Sequence, residues 1–71
     1  MVWFFERNGQ YLRCEARDLP EGSGYELVIT QPNGSEMSER FEDSAELSRR
    51  QRSLESGLTA QGWAGPYGRL F

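Results

Sequence analysis

The chain has 71 residues, a net charge of −3, no histidine and one cysteine, so it makes one small domain at most. The single Cys14 excludes a disulfide-stapled secreted scaffold, and the lack of histidine removes the common metal-ligand and nucleophile–base sets. A chain this short buries only about 60% of its unfolded surface, so its nine aromatic residues carry much of a marginal core.

The first segment, Val2-Trp3-Phe4-Phe5-Glu6-Arg7, is aromatic and strand-like. Glu6 and Arg7 interrupt its apolar start after five residues, so no signal peptide is expected. Asn8-Gly9 follows. Asn-Gly between alternating segments is the strongest short-range hairpin signal, because both residues tolerate positive φ. The next segment, Tyr11 to Arg17, alternates with period two. A two-residue turn at Asn8-Gly9 pairs Arg7 with Gln10, Phe5 with Leu12 and Trp3 with Cys14. Trp3, Phe5, Leu12, Cys14 and Ala16 then share one face, and Phe4, Glu6, Tyr11, Arg13, Glu15 and Arg17 share the other.

Asp18 to Gly24 reads as a loop by its Pro, Gly and Ser content. Tyr25 to Gln31 and Ser35 to Phe41 read as two further strands around Pro32-Asn33-Gly34. A two-residue turn at Asn33-Gly34 would put Pro32 in the ladder. A three-residue loop instead pairs Gln31 with Ser35, Ile29 with Met37 and Tyr25 with Phe41. That register gathers Tyr25, Leu27, Ile29, Met37 and Phe41 on one face, with Glu39 as its exception.

A helix is expected over 44–61. Asp43 with Glu46 three residues later approximates a capping box. Leu47, Gln51, Leu54, Leu58 and Gln61 form a thin stripe, Gly57 costs about 1 kcal/mol relative to alanine, and Gly62 suits the position after the C-cap. Such a helix depends on packing against the sheet. The remainder, Trp63 to Phe71, is Gly-rich yet aromatic and is expected as a tail.

The fold class is therefore α+β: a four-stranded antiparallel meander built from two Asn-Gly hairpins, with one C-terminal helix on its apolar face. One ββββα domain spans 1–62 and an aromatic tail spans 63–71. The expected core is Trp3, Phe5, Leu12, Cys14, Leu27, Ile29, Met37, Phe41, Leu47, Leu54 and Leu58.

Chemistry-bearing residues are sparse. Asp18, Glu21, Glu36, Glu39, Glu42, Asp43 and Glu46 fall in no recognisable metal spacing and read as solvated surface. Cys14 lies on the apolar face and reads as a small buried hydrophobe. No catalytic residue, metal or cofactor is expected, and the chain reads as non-enzymatic. No apolar run approaches the roughly 20 residues that span a bilayer, and the lone cysteine points to a reducing cytoplasm.

Two surfaces remain. Arg13, Glu15, Arg17, Glu26, Glu36 and Arg40 alternate on the open sheet face, where they fit cross-strand pairs. Phe4, Tyr11, Arg13, Arg17 and Arg40 also make a candidate partner surface there, because arginines interleaved with aromatics suit stacking on unpaired bases. Arg49, Arg50 and Arg52 fit a polar helix back, with Glu46–Arg50 and Arg52–Glu55 spaced for local pairing. Trp63, Tyr67 and Phe71 are candidate dimer or partner contacts, since oligomerisation is a usual remedy for a small core.

Four antiparallel strands followed by one helix, over residues 2–62, resemble the ββββα unit of the Whirly and Pur-alpha families. That topology implies single-stranded nucleic-acid binding on a curved sheet, with dimerised or paired repeats. Trp-Phe-Phe-Glu-Arg, then Tyr-Glu-Leu-Val-Ile-Thr-Gln-Pro-Asn-Gly-Ser, then a helix ending Ala-Gln-Gly-Trp is also similar to small uncharacterised bacterial ββββα proteins. The expected function is a small interaction module that self-associates as a homodimer. The alternative is a single-stranded nucleic-acid binder on the open sheet face, which the acidic net charge disfavours.

Overall fold

The computed structural model describes residues 1–68. Five antiparallel strands form one sheet: β1 (Val2–Arg7), β2 (Gln10–Asp18), β3 (Tyr25–Thr30), β4 (Glu36–Phe41) and β5 (Ala64–Tyr67), in the order β4-β3-β2-β1-β5. One helix, α1 (Ser44–Ala60), joins β4 to β5. The fold is α+β, but the sheet has a fifth strand where a tail was expected.

In β1 and β2, Arg7 lies opposite Gln10, Phe5 opposite Leu12 and Trp3 opposite Cys14. Asn8 and Gly9 turn the chain with φ of 54° and 77°. Two successive positive φ values match the right-handed twist of the flanking strands. Between β3 and β4, the Gln31 N–H donates to the Ser35 carbonyl at 2.8 Å and the Gly34 N–H to the Gln31 carbonyl at 2.8 Å. The loop thus holds Pro32, Asn33 and Gly34, and Ile29 faces Met37 while Tyr25 faces Phe41. Pro32, which has no N–H to give a ladder, stays outside the pairing.

The helix starts where Asp43 Oδ1 accepts the Glu46 N–H at 2.8 Å. It stops in a Schellman arrangement, with the Trp63 N–H on the Leu58 carbonyl at 3.0 Å and the Gly62 N–H on the Thr59 carbonyl at 3.0 Å. This cap brings Trp63 back against Leu58, and both are buried. A helix of 17 residues is roughly 25 Å long. Five strands span roughly 19 Å. The helix therefore reaches from the β4 edge to the opposite edge, where β5 pairs with β1.

One face of the sheet and the helix enclose the core: Trp3, Phe5, Leu12, Cys14, Ala16, Leu27, Ile29, Leu47, Leu58 and Trp63. Tyr25, Phe41 and Leu54 are half-buried at its margin. Three expectations are corrected. Met37 is 55% exposed, because it sits on the edge strand. Phe41 and Leu54 border the core rather than fill it. Trp63, expected in the tail, is only 7% exposed.

Glu39, the polar exception on the apolar face of β4, has a physical reason. Arg50 reaches down from the helix and donates through Nε at 2.9 and 3.2 Å and through Nη2 at 3.1 Å. This two-pronged pair is the strong form of a charge-assisted contact. It draws Arg50 to the sheet, away from the Glu46 that the helical spacing offered it. Gln51, on the same stripe, places its Nε2 in a buried position with no partner among the described residues.

β5 lies at the sheet edge and contains Pro66, which has no N–H to donate and is tolerated at an edge. Phe4 lies opposite Tyr67 and Glu6 opposite Ala64, with a bulge between them. At Gly65, φ is +137°, and a Cβ would meet the Phe4 carbonyl oxygen at 2.8 Å. Gly57, by contrast, has open space around its Cβ position. Two substitutions to alanine therefore take opposite signs. Gly65→Ala should lower stability by about 1–3 kcal/mol, the scale of a strained backbone. Gly57→Ala should raise it by about 1 kcal/mol. Urea unfolding followed by circular dichroism reads both, and a Gly65→Ala variant as stable as the parent would refute the placement of β5 against β1.

Candidate functional site

The face of the sheet away from the helix is the candidate site. Strand alternation places Phe4, Glu6, Tyr11, Arg13, Glu15, Arg17, Glu26, Val28, Glu36, Ser38 and Arg40 there. Val28 is buried even so, only 6% exposed. The remaining residues divide into two zones.

The first zone is charged and lies over β2, β3 and β4. Arg17 donates to Glu26 Oε1 through Nε at 2.8 Å and sits 2.7 Å from it through Nη2. Ser38 Oγ donates to the other oxygen, Oε2, at 3.1 Å. Arg40 lies directly opposite Glu26 on β4. Arg13 pairs with Glu15 at 3.4 Å. Four carboxylates, Glu6, Glu15, Glu26 and Glu36, thus share the face with three guanidinium groups, Arg13, Arg17 and Arg40. The arginines are engaged in balancing local charge.

The second zone is aromatic and lies over β1 and β5. Phe4, Tyr11 and Tyr67 are 36%, 61% and 53% exposed. Tyr67 stands directly opposite Phe4, and Tyr11 is diagonal to it across β1 and β2. With Glu6 and Gly68 they line an open groove of about 630 Å³. Glu6 is the charged residue of that lining. Its Oε2 accepts the Gly9 N–H at a long 3.4 Å, and among the described residues it forms no ion pair.

The sequence-derived candidates are therefore split. Phe4 and Tyr11 belong to the groove, whereas Arg13, Arg17 and Arg40 belong to the charged zone. Trp63 is turned inward. Arg7 clamps it from the far end of β1, with its guanidinium 4.7 Å from the ring centroid, and donates to the Gln61 carbonyl at 2.9 Å. One arginine thus closes the helix C-terminus and covers the core tryptophan. Trp63 is only 7% exposed. Phe71 lies outside the described residues.

Sequence reading assigned Tyr67 to the tail and left its position relative to Phe4 undetermined. The signal for Trp63 was present, since an apolar residue after a C′ glycine contacts the helix residue five positions back. No local signal placed Tyr67, because its position follows from β5 pairing with a strand some sixty positions earlier.

Among the described residues, no group of Cys, Asp or Glu is arranged to hold a metal ion. No helix among them is long and apolar enough to cross a membrane. Comparison with family models, with curated proteins and with solved structures found no match to this chain.

The charged zone gives a titration test. The hydrogen bond from Arg17, then that from Ser38, hold the Glu26 carboxyl below the ordinary glutamate value, against a smaller opposing effect of desolvation. A carboxyl lowered on folding contributes stability above its unfolded pKa, about 4.3, and loses it as pH falls through the lower folded value. Carbon-detected NMR titration should find Glu26 titrating below the ordinary glutamate value. Arg17→Gln should move Glu26 upward. No movement would show that the contact does not govern this carboxyl.

Proposed function

We propose that this chain is a non-enzymatic interaction module of the cytoplasm, with the aromatic groove on the open sheet face as its recognition surface. The observation that carries the reading is the exposure of Phe4, Tyr11 and Tyr67 side by side at one end of an otherwise charge-balanced sheet. Exposed apolar clusters rimmed by polar residues mark interaction sites. Support for a non-enzymatic role comes from composition, since no histidine is available to activate a nucleophile.

Stacking of bases on the same aromatics is the second reading, favoured by the cluster itself. Charge argues against it. Phosphate affinity needs segregated, available cations, whereas Arg13 and Arg17 are paired with Glu15 and Glu26. Glu6 adds a carboxylate to the groove itself.

The reading includes self-association as a homodimer, without Trp63. The outer edge of β4, which carries the exposed Met37, is where a second copy would pair. Sedimentation velocity at micromolar concentration should find a species of twice 8.2 kDa. A folded species of 8.2 kDa rejects the dimer and leaves the groove unaffected.

The recognition surface is tested by titrating labelled oligo-dT at low and moderate salt and following amide shifts. The expected result is no shift at residues 4, 11 and 67 in low salt. Shifts there that fade steeply with salt would replace the interaction module with a single-stranded nucleic-acid binder.

A further inference from the structure

We propose that the Phe4–Tyr11–Tyr67 groove takes the alkylammonium side chain of a lysine presented by a basic peptide segment of a partner. This rests on the groove being the recognition surface, and it names the chemistry of the occupant. Three aromatic rings line the groove, and one carboxylate, Glu6, lines it with them. Ring faces carry negative potential and attract a cation placed over them. Glu6 adds a full negative charge at the same place, opposite Tyr11 in the ladder.

Other ligand chemistries fit the lining less well. An anion entering the groove meets Glu6. A neutral apolar group covers Glu6 without giving it a partner, and burying an unpaired carboxylate is costly. A lysine side chain meets both requirements, since its methylene stem lies on apolar surface while its ammonium reaches the carboxylate. Among the described residues the neighbouring cation, Arg13, lies opposite Phe4 but is paired with Glu15 at 3.4 Å and is absent from the lining. The net charge of −3 steers a basic segment toward this surface. On the opposite face the protein already makes a contact of this kind, between Arg7 and Trp63.

The experiment uses the full chain and four blocked pentapeptides of glycine, with lysine, trimethyl-lysine, norleucine or glutamate at the centre. Amide shifts are followed at residues 4, 6, 11, 67 and 68. Lysine and trimethyl-lysine should shift these residues, and norleucine and glutamate should bind at least about threefold more weakly. Glu6→Gln should weaken the lysine peptide and leave norleucine unchanged. Tyr11→Leu keeps an apolar side chain but removes a ring, so it too should weaken lysine selectively. Both positions are away from the core, and circular dichroism checks that each variant folds.

Equal binding of norleucine and lysine, or a lysine affinity indifferent to Glu6→Gln, would overturn the cation while leaving the groove as an apolar recognition surface. Failure of all four peptides to shift the groove at millimolar concentration would overturn both the cation and the recognition surface.

Discussion

The contact between Arg7, Trp63 and the end of the helix is the fastening on which the rest of the molecule depends. Arg7 sits over the indole ring and also donates to the Gln61 carbonyl. The tryptophan fills the core beside Leu58, held there by the turn that ends the helix. Once Trp63 is seated, the next residues have little freedom. They emerge beside β1 and pair with it, and Phe4 and Tyr67 become neighbours. The groove on the outer face is thus a consequence of a core contact on the inner face.

The helix is secured to the sheet at two places by different means. At its C-terminal end the security is apolar and cation–π in character. Near the other edge it is ionic, through Arg50 and Glu39. Glu39 interrupts the apolar face of β4, and Met37 two residues earlier is exposed. The helix therefore meets the middle of β4 through a charged pair, with the half-buried Phe41 packed against the core at the strand's end. A half-exposed pair of this kind contributes modestly to stability. Its geometry still defines where the helix crosses the strand, because a guanidinium fork matches a carboxylate in few orientations.

The open face shows how charge and aromatic character separate on one small sheet. On β2 and β3, Arg17 faces Glu26 across the strands and Arg13 pairs with Glu15 along β2. At the β1 and β5 end the exposed side chains are aromatic, Phe4 and Tyr67, with Glu6 beside them. The likeness to ββββα nucleic-acid binders expected from the sequence is one of topology alone. The fifth strand changes that topology at its outer edge and places Tyr67 beside Phe4.

Much of the fold was legible because it is local. Asn8-Gly9 fixes one hairpin, and a one-residue slip would carry Trp3, Phe5, Leu12 and Cys14 out of the core. Pro32 selects the three-residue loop of the other hairpin, since it cannot donate to a ladder. Asp43 and Gly62 mark the two ends of the helix by chemistry confined to a few residues. Half of the candidate site was legible in the same way, because alternation alone puts Phe4 and Tyr11 on one face. Tertiary structure decided the remainder. Whether Met37 is covered depends on where a helix crosses, and whether Arg17 is available depends on which carboxylate stands across the strands. The place of Tyr67 depends on a pairing between opposite ends of the chain. Gly65 and Pro66 carry no strand signal, so only the burial of Trp63 beside Arg7 brings that stretch to β1 and completes the groove.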